Sequence, residues 1–140
     1  MPRILAFDYG TKRVGIAATD PLKIIANSLT TLHPKEVLAF LKKYLLTEQV
    51  DLFVVGEPKQ MDGSASQSSA QVKLFVAQLK NNFPHMAIEM IDERFTSKIA
   101  SATIAQSGLN KKARQNKALV DGIAATIILQ SYMEKQSLGL

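Results

Sequence analysis

Cysteine is absent from this chain of 140 residues. The sequence therefore has no disulfide framework, no thiolate metal site and no cysteine nucleophile, and any chemistry has to come from carboxylates, hydroxyls, lysines or two histidines. A chain without disulfides suits a reducing compartment, and we expect a cytoplasmic protein.

Long hydrophobic runs are also missing. The longest nearly apolar stretch, Ala118 to Leu129, is shorter than the ~20 residues that cross a bilayer, and it contains Asp121. The first residues, Met1 to Ile4, lead directly into a strand-like run, so we expect no signal peptide and no membrane partner. With 46% apolar and 21% charged residues the chain has the balance of a globular protein, and its length suits a single domain over residues 1–140.

Acidic residues are missing from one long segment. Between Arg94 and Val120 there is no Asp or Glu, but six of the 17 basic residues lie there, so the rest of the chain holds 11 basic against 12 acidic residues. Clustered positive charge predicts a polyanionic partner, nucleic acid above all, because counterion release from phosphates drives such binding. A basic face that contacts only solvent is the alternative. The six residues are Arg94, Lys98, Lys111, Lys112, Arg114 and Lys117.

Short apolar runs bounded by turn residues predict five strands. The first run is apolar on both faces, as in a central strand, and it leads through a hairpin into the second. The predicted strands are Ile4–Phe7, Arg13–Thr19, Ser28–Leu32, Leu52–Val55 and Ala87–Ile91.

Apolar residues at helical spacing, together with capping residues, predict four helices. Their order among the strands is βββαβαβαα. This order predicts an α/β fold with a mixed five-stranded sheet, in which three antiparallel strands are followed by two parallel ones and helices cover both faces. The predicted helices begin at Pro34, include the stripe Val72 to Phe83, run from a cap at Thr96 or Ser97 to Gly108, and cover about Ala118 to Lys135.

Two aspartates are candidates for a functional site. Asp8 ends the first strand, and the carboxyl end of a central strand is the edge where α/β sheets place ligands, although an ordinary turn aspartate is the alternative. Asp121 shares a helix face with Ala124, Ala125 and Ile128. The small alanines predict that this helix lies close to the sheet with Asp121 facing the protein body, where a metal ion offsets the cost of burying a charge. The alternative is an aspartate that only faces the helix dipole.

A third carboxylate has three candidates. Asp92 and Glu93 follow the fifth strand, and since side chains alternate across a strand, at most one of them points at the site of Asp8. Glu57 ends the fourth strand and approaches Asp8 if that strand is a parallel neighbour of the first. Converging carboxylates repel one another unless divalent cations neutralise them, and oxygen ligands suit Mg²⁺ or Mn²⁺. Such a site hydrolyses phosphate esters by the two-metal route, which predicts a nuclease.

Four segments of the chain resemble the YqgF (RuvX) family, in the order and spacing of that family and over essentially the whole length. The resemblance implies an RNase H-like fold, a relationship to Holliday-junction resolvases, and a bacterial cytoplasmic nuclease that matures the 5′ end of the 16S ribosomal RNA precursor during ribosome biogenesis. The segments are Asp8-Tyr9-Gly10-Thr11-Lys12-Arg13-Val14-Gly15-Ile16-Ala17, Gly56-Glu57-Pro58 with Asp62-Gly63, Asp92-Glu93-Arg94-Phe95-Thr96-Ser97, and Lys111-Lys112-Ala113-Arg114 leading to Asp121-Gly122-Ile123-Ala124-Ala125.

The resemblance also implies the roles of individual residues. By this likeness Asp8, Glu93 and Asp121 are the catalytic carboxylates that hold Mg²⁺ or Mn²⁺, with Asp92 as the substitute for Glu93. Glu57 stands where the family commonly has an apolar residue, so it is either a solvent-facing substitution, which we favour, or an addition to the site. We expect phosphate contacts, which position nucleic acid without reading its sequence, from Lys12, Arg13, Arg94, Lys111, Lys112 and Arg114.

Three functions stay open at this point. The first is a metal-dependent nuclease that processes structured RNA, the 16S precursor above all. The second is a Holliday-junction resolvase, in which a symmetric dimer reads branched DNA. The third is an RNA-binding ribosome-assembly factor without turnover. The sequence is compatible with a monomer and with a homodimer.

Overall fold

The computed structural model describes residues 2–20, 26–57, 69–92 and 117–137. They form five strands and three helices, which agree with the predicted elements to within a few residues at each end. The strands are β1 (Arg3–Tyr9), β2 (Val14–Thr19), β3 (Ala26–Leu32), β4 (Val50–Glu57) and β5 (Ala87–Asp92), and the helices are α1 (Pro34–Thr47), α2 (Ser69–Asn82) and α3 (Lys117–Ser137).

The five strands form one mixed sheet in the order β3-β2-β1-β4-β5. β2 is antiparallel to both β1 and β3, whereas β4 is parallel to both β1 and β5. α2 connects the consecutive parallel strands β4 and β5, because such strands need a crossover. The predicted sheet of three antiparallel and two parallel strands is therefore confirmed, and β1 lies at its centre.

Helices cover both faces of the sheet, as predicted. α1 and α2 bury apolar side chains against one face, where Phe7 and Phe53 meet edge to face with ring centroids 5.3 Å apart. Because side chains alternate along each strand, the neighbouring residues Ala6 and Val54 point to the other face and contact the buried side of α3. The sheet is thus the middle layer between two apolar cores.

Four strands, β1, β3, β4 and β5, extend further than the sequence predicts, and two of the added residues lie at the rim that carries Asp8. Tyr9, expected in a turn, belongs to β1, and its ring stacks on Phe75 of α2 with centroids 4.8 Å apart. Glu57 belongs to β4 and is the register partner of Asp92 on β5. In both cases tertiary packing or strand pairing extends a strand beyond its apolar run.

α1 begins as predicted at Pro34, and the residue before it supplies a cap. The Nδ1 atom of His33 accepts a hydrogen bond from the backbone N–H of Lys35 at 3.1 Å. The helix predicted between Thr96 and Gly108 lies outside the described residues. No helix within the described ranges is long and apolar enough to span a membrane.

Candidate active site

Asp8 is the second-last residue of the central strand β1 and is half-buried. It continues the pleat of Ile4 and Ala6, both of which lie in the core under α3, so it belongs to the α3 face of the sheet. Its register partner on β2 is Gly15. The carboxylate therefore stands at the carboxyl-terminal rim of the sheet, as the sequence predicts, beside a residue without a side chain.

The direction of α3 follows from a cavity at the opposite rim. This cavity, of about 440 Å³, is lined by Ile4 and Leu52, near the starts of β1 and β4, and by Tyr132, Met133 and Gln136 in the last turns of α3. The carboxyl-terminal turns of α3 thus contact the beginning of β1. Because α3 runs opposite to β1, its first turns lie toward the end of β1 that carries Asp8.

Asp121 lies in the first turns of α3, four residues before Ala125 and seven before Ile128. Ala125 and Ile128 are buried against the sheet. Residues four and seven apart share one face of a helix, so the position of Asp121 continues the stripe of Ala125 and Ile128 one turn nearer the Asp8 rim. The backbone thus brings the positions of the two predicted aspartates to the same face and the same end of the molecule.

Glu57 and Asp92 occupy positions on the other face. Glu57 continues the pleat of Phe53 and Val55, whose side chains lie in the core under α1 and α2. Asp92 is its register partner on β5 and has the same pleat parity as Ile88, which packs against that same core. Both positions end their strands at the Asp8 rim, but the sheet separates them from the face of Asp8.

Five of the predicted site residues lie outside the described residues, and they stay predictions. Within the described ranges, no group of three or more His, Asp or Glu residues is close enough to hold a metal ion. The five residues are Glu93, Arg94, Lys111, Lys112 and Arg114.

The hairpin turn between β1 and β2 carries Lys12, which is exposed, and Arg13, which is half-buried. Gly10 makes this turn possible, because a Cβ atom there would lie 2.8 Å from the carbonyl oxygen of Arg13. Two of the predicted phosphate contacts therefore lie directly after Asp8 and Tyr9, at the same rim.

The rim opposite Asp8 contains a different polar cluster. Tyr132 is buried on α3 and its hydroxyl donates a hydrogen bond to the carboxylate of Glu89. Burial, this hydrogen bond and the negative charges of Glu89 and Asp51 raise the pKa of Tyr132 to about 12. The cluster joins α3 to the sheet. Because it lies at the end of α3 far from Asp121, it takes no part in the candidate site.

Thr31 is a rim residue that the sequence analysis missed. It is the register partner of Gly15, and Gly15 is the partner of Asp8, so the three form a row across β3, β2 and β1. Neighbouring strands are about 4.8 Å apart, which puts Thr31 about 10 Å from Asp8 on the same face. Only strand register shows this relationship, and no local pattern around Thr31 could have indicated it.

The topology of the mixed sheet defines the fold class. The fold is similar to that of Thermus thermophilus RuvC, solved in complex with a Holliday junction substrate. The likeness has a TM-score of 0.56 at 14% identity and covers 95% of this chain and 96% of the RuvC chain. A second T. thermophilus RuvC structure matches with a TM-score of 0.54. The fold is RNase H-like.

Sequence comparison gives the family. The model of the RuvX family, described as Holliday junction resolvase, matches residues 2–135, and the chain belongs to this family. A Flavobacterium psychrophilum protein named "Putative pre-16S rRNA nuclease" is 57% identical over 97% of this chain and 99% of its own length. A Bacteroides thetaiotaomicron protein of the same name is 51% identical over the same shares.

Proposed function

We propose that this protein is a nuclease that hydrolyses phosphodiester bonds in the precursor of 16S ribosomal RNA, as part of ribosome biogenesis. The observation that carries the proposal is the position of Asp8, on the central strand and on the face covered by α3, in a chain whose full-length relatives bear the name of such a nuclease. A cytoplasmic location belongs to the same proposal.

The catalytic carboxylates of the proposal are Asp8, Asp121 and Glu93. The sheet face supports this choice, because Asp8 and the position of Asp121 share it, whereas the positions of Glu57 and Asp92 lie on the other face. In β5, Ile91 lies in the core on the α3 side, and Glu93 has the same parity in the sequence. Strand alternation therefore favours Glu93 over Asp92 as the third carboxylate.

The donor chemistry fits Mg²⁺ or Mn²⁺. Asp8, Asp121 and Glu93 offer only carboxylate oxygens, which hard divalent cations prefer. When bound, such ions lower the pKa of the attacking water and stabilise the charge on the leaving oxygen. The role of the protein itself is to hold three carboxylates close together. Their mutual repulsion makes this arrangement costly without cations.

Basic residues complete the proposed site by binding the substrate. Lys12 and Arg13 follow Asp8 in the hairpin turn and would hold phosphates next to the scissile one. Arg94, Lys111, Lys112 and Arg114 would contact the backbone further away. Such contacts fix the position of the nucleic acid and leave sequence selection to other features.

The test is cleavage of a 16S precursor fragment that carries its 5′ leader, in Mn²⁺, with wild type beside Asp8→Asn. We expect wild type to cleave and Asp8→Asn to bind the fragment without cleaving it. Equal cleavage by both proteins would contradict the assigned site. Binding by wild type without any cleavage would instead favour the assembly factor that lacks turnover.

Resolution of Holliday junctions is the second candidate function. The description of the family model and the fold shared with RuvC favour it. It requires two active sites on one junction, and therefore a homodimer, whereas processing of a single RNA strand needs only a monomer. Rates on a four-way DNA junction and on the RNA fragment, measured with the same enzyme preparation, separate the two functions.

A further inference from the structure

A groove on α1 opens at the same rim of the sheet as Asp8; we call it the α1 groove. Its volume is about 430 Å³. The residues of α1 that line it recur three and four positions apart and so form one stripe, which from Lys35 to Lys43 is about 12 Å long at 1.5 Å per residue. The lining consists of Leu32, Lys35, Glu36, Ala39, Phe40 and Lys43.

Strand register ties the α1 groove to the candidate active site. Leu32 at its mouth is the register partner of Val14, and Val14 is the partner of Tyr9, the residue after Asp8. The mouth thus lies two strands, or about 10 Å, from the end of β1. The turn that carries Lys12 and Arg13 joins β1 to β2 at this same rim, so the basic turn and the groove adjoin.

The lining combines positive charge with an apolar floor. Lys35 and Lys43 are exposed, and between them lie Ala39 and the half-buried Phe40, whose other side stacks on Tyr44 with centroids 5.7 Å apart. The first N–H groups of α1 are occupied, since that of Lys35 donates to His33, and Pro34 has none. The cationic character of the groove therefore comes from side chains.

This chemistry matches a single nucleic-acid strand. Lysines bind phosphates without regard to sequence, and an apolar or aromatic floor accepts a base or a ribose. At 3.4 Å per stacked nucleotide, 12 Å holds about three nucleotides. Glu36 is an acidic group in the lining and should repel phosphates, so removal of its charge tests whether phosphates bind there.

We propose that the α1 groove binds a single-stranded segment of the substrate that flanks the bond cleaved at Asp8, an inference that rests on the proposed function. The strand crosses the rim at Lys12 and Arg13, passes Leu32 and continues along α1 past Lys35 to Lys43. The active site and the α1 groove then lie on opposite faces, with the basic turn between them.

The test measures binding alone, with a fluorescently labelled 16S precursor fragment in EDTA, where no cleavage occurs. For single strands, each lost phosphate contact lowers the salt slope of binding by about 0.7, equivalent to about fivefold weaker binding at 0.1 M salt. The Lys35→Ala/Lys43→Ala double variant should therefore bind about 25-fold more weakly. Glu36→Gln should bind more tightly than wild type. Lys80→Ala is the control, because Lys80 is exposed in the last turn of a different helix, α2, and does not line the groove.

The outcomes separate this inference from the proposed function. If wild type cleaves the fragment in Mn²⁺ while the double variant and Lys80→Ala both bind as wild type does, the nuclease assignment stands and the proposed path along α1 is wrong. A wild-type protein that neither binds nor cleaves the fragment would overturn both. A loss of about fivefold per removed lysine in both the double variant and Lys80→Ala would indicate general charge attraction and would also overturn the groove.

Discussion

Glu57 and Asp92 are register partners at the ends of β4 and β5, and both positions lie on the face of the sheet opposite to Asp8. Three acidic positions at one rim, on the neighbouring strands β1, β4 and β5, thus divide between the two faces of the sheet. Proximity along one rim does not bring them into one site, because the pleat sends alternate residues to opposite sides.

The first prediction concerns Glu57 and follows from this division. Glu57→Gln should keep Mn²⁺-dependent cleavage of the 16S precursor fragment within about twofold of wild type, because the substitution leaves the charge on the α3 face unchanged. Asp8→Asn, an equally small change, should lower the rate at least about 100-fold, since charge stabilisation by metal is worth several kcal/mol. Single-turnover rates measure both variants. Similar losses in the two would place Glu57 in the site.

The second prediction concerns the turn at Gly10. A Cβ atom there would lie 2.8 Å from the carbonyl oxygen of Arg13, so Gly10→Ala should force the turn to shift and lower the free energy of unfolding by more than about 1 kcal/mol. Urea denaturation measures the loss. Thr11→Ala, at an exposed position of the same turn, is the control and should stay within about 0.5 kcal/mol of wild type. If Gly10→Ala had the same free energy of unfolding as wild type, the turn would accommodate the Cβ atom without cost, contrary to this prediction.

The third prediction concerns the buried hydroxyl of Thr19. It accepts a hydrogen bond from the backbone N–H of Ile4 at 3.0 Å, and Thr19 is 1% exposed. Thr19→Val should therefore cost about 1–3 kcal/mol, because the N–H of Ile4 would stay buried without an acceptor. Thr47→Val removes an exposed hydroxyl and should cost much less. Comparable losses for the two variants in urea denaturation would contradict the assigned role of burial.

The fourth prediction concerns pH and Tyr132. Its pKa is raised to about 12 from 10.0, first by burial and then by its hydrogen bond to Glu89, so the protonated form is favoured in the folded state. The folded protein then binds more protons than the unfolded chain between these values. The contribution of Tyr132 to stability is fully present below pH 10 and is lost as pH rises through about 12.

Tyr132→Phe measures this contribution. The variant should be less stable than wild type at pH 7 and 8 by the same amount at both values, since neither lies in the titration range. From pH 10 to 12 the difference in the free energy of unfolding should shrink, because wild type loses the stabilisation by the protonated hydroxyl, which the variant lacks at every pH. A difference that stays constant up to pH 12 would show that the hydroxyl does not titrate with folding.

Much of the fold was determined by the sequence alone. Apolar runs of strand length, helical spacing of buried residues and the start at Pro34 predicted all eight described elements, because these signals depend on neighbours along the chain. The mixed sheet followed from their order, since consecutive parallel strands require a crossover and a short turn produces a hairpin. The rim positions of Asp8, Glu57 and Asp92 were predictable in the same way.

Only the tertiary structure decided which of these residues share a face. The boundaries of an apolar run do not show the parity of the pleat relative to the cores, so only packing under α1 and α2 shows that the positions of Glu57 and Asp92 lie opposite to Asp8. Contacts between distant residues also determine the antiparallel direction of α3, which brings the position of Asp121 to the Asp8 rim. The row from Asp8 through Gly15 to Thr31 depends on such contacts as well. Local propensity carries no information about such pairings, because burial against another element determines them.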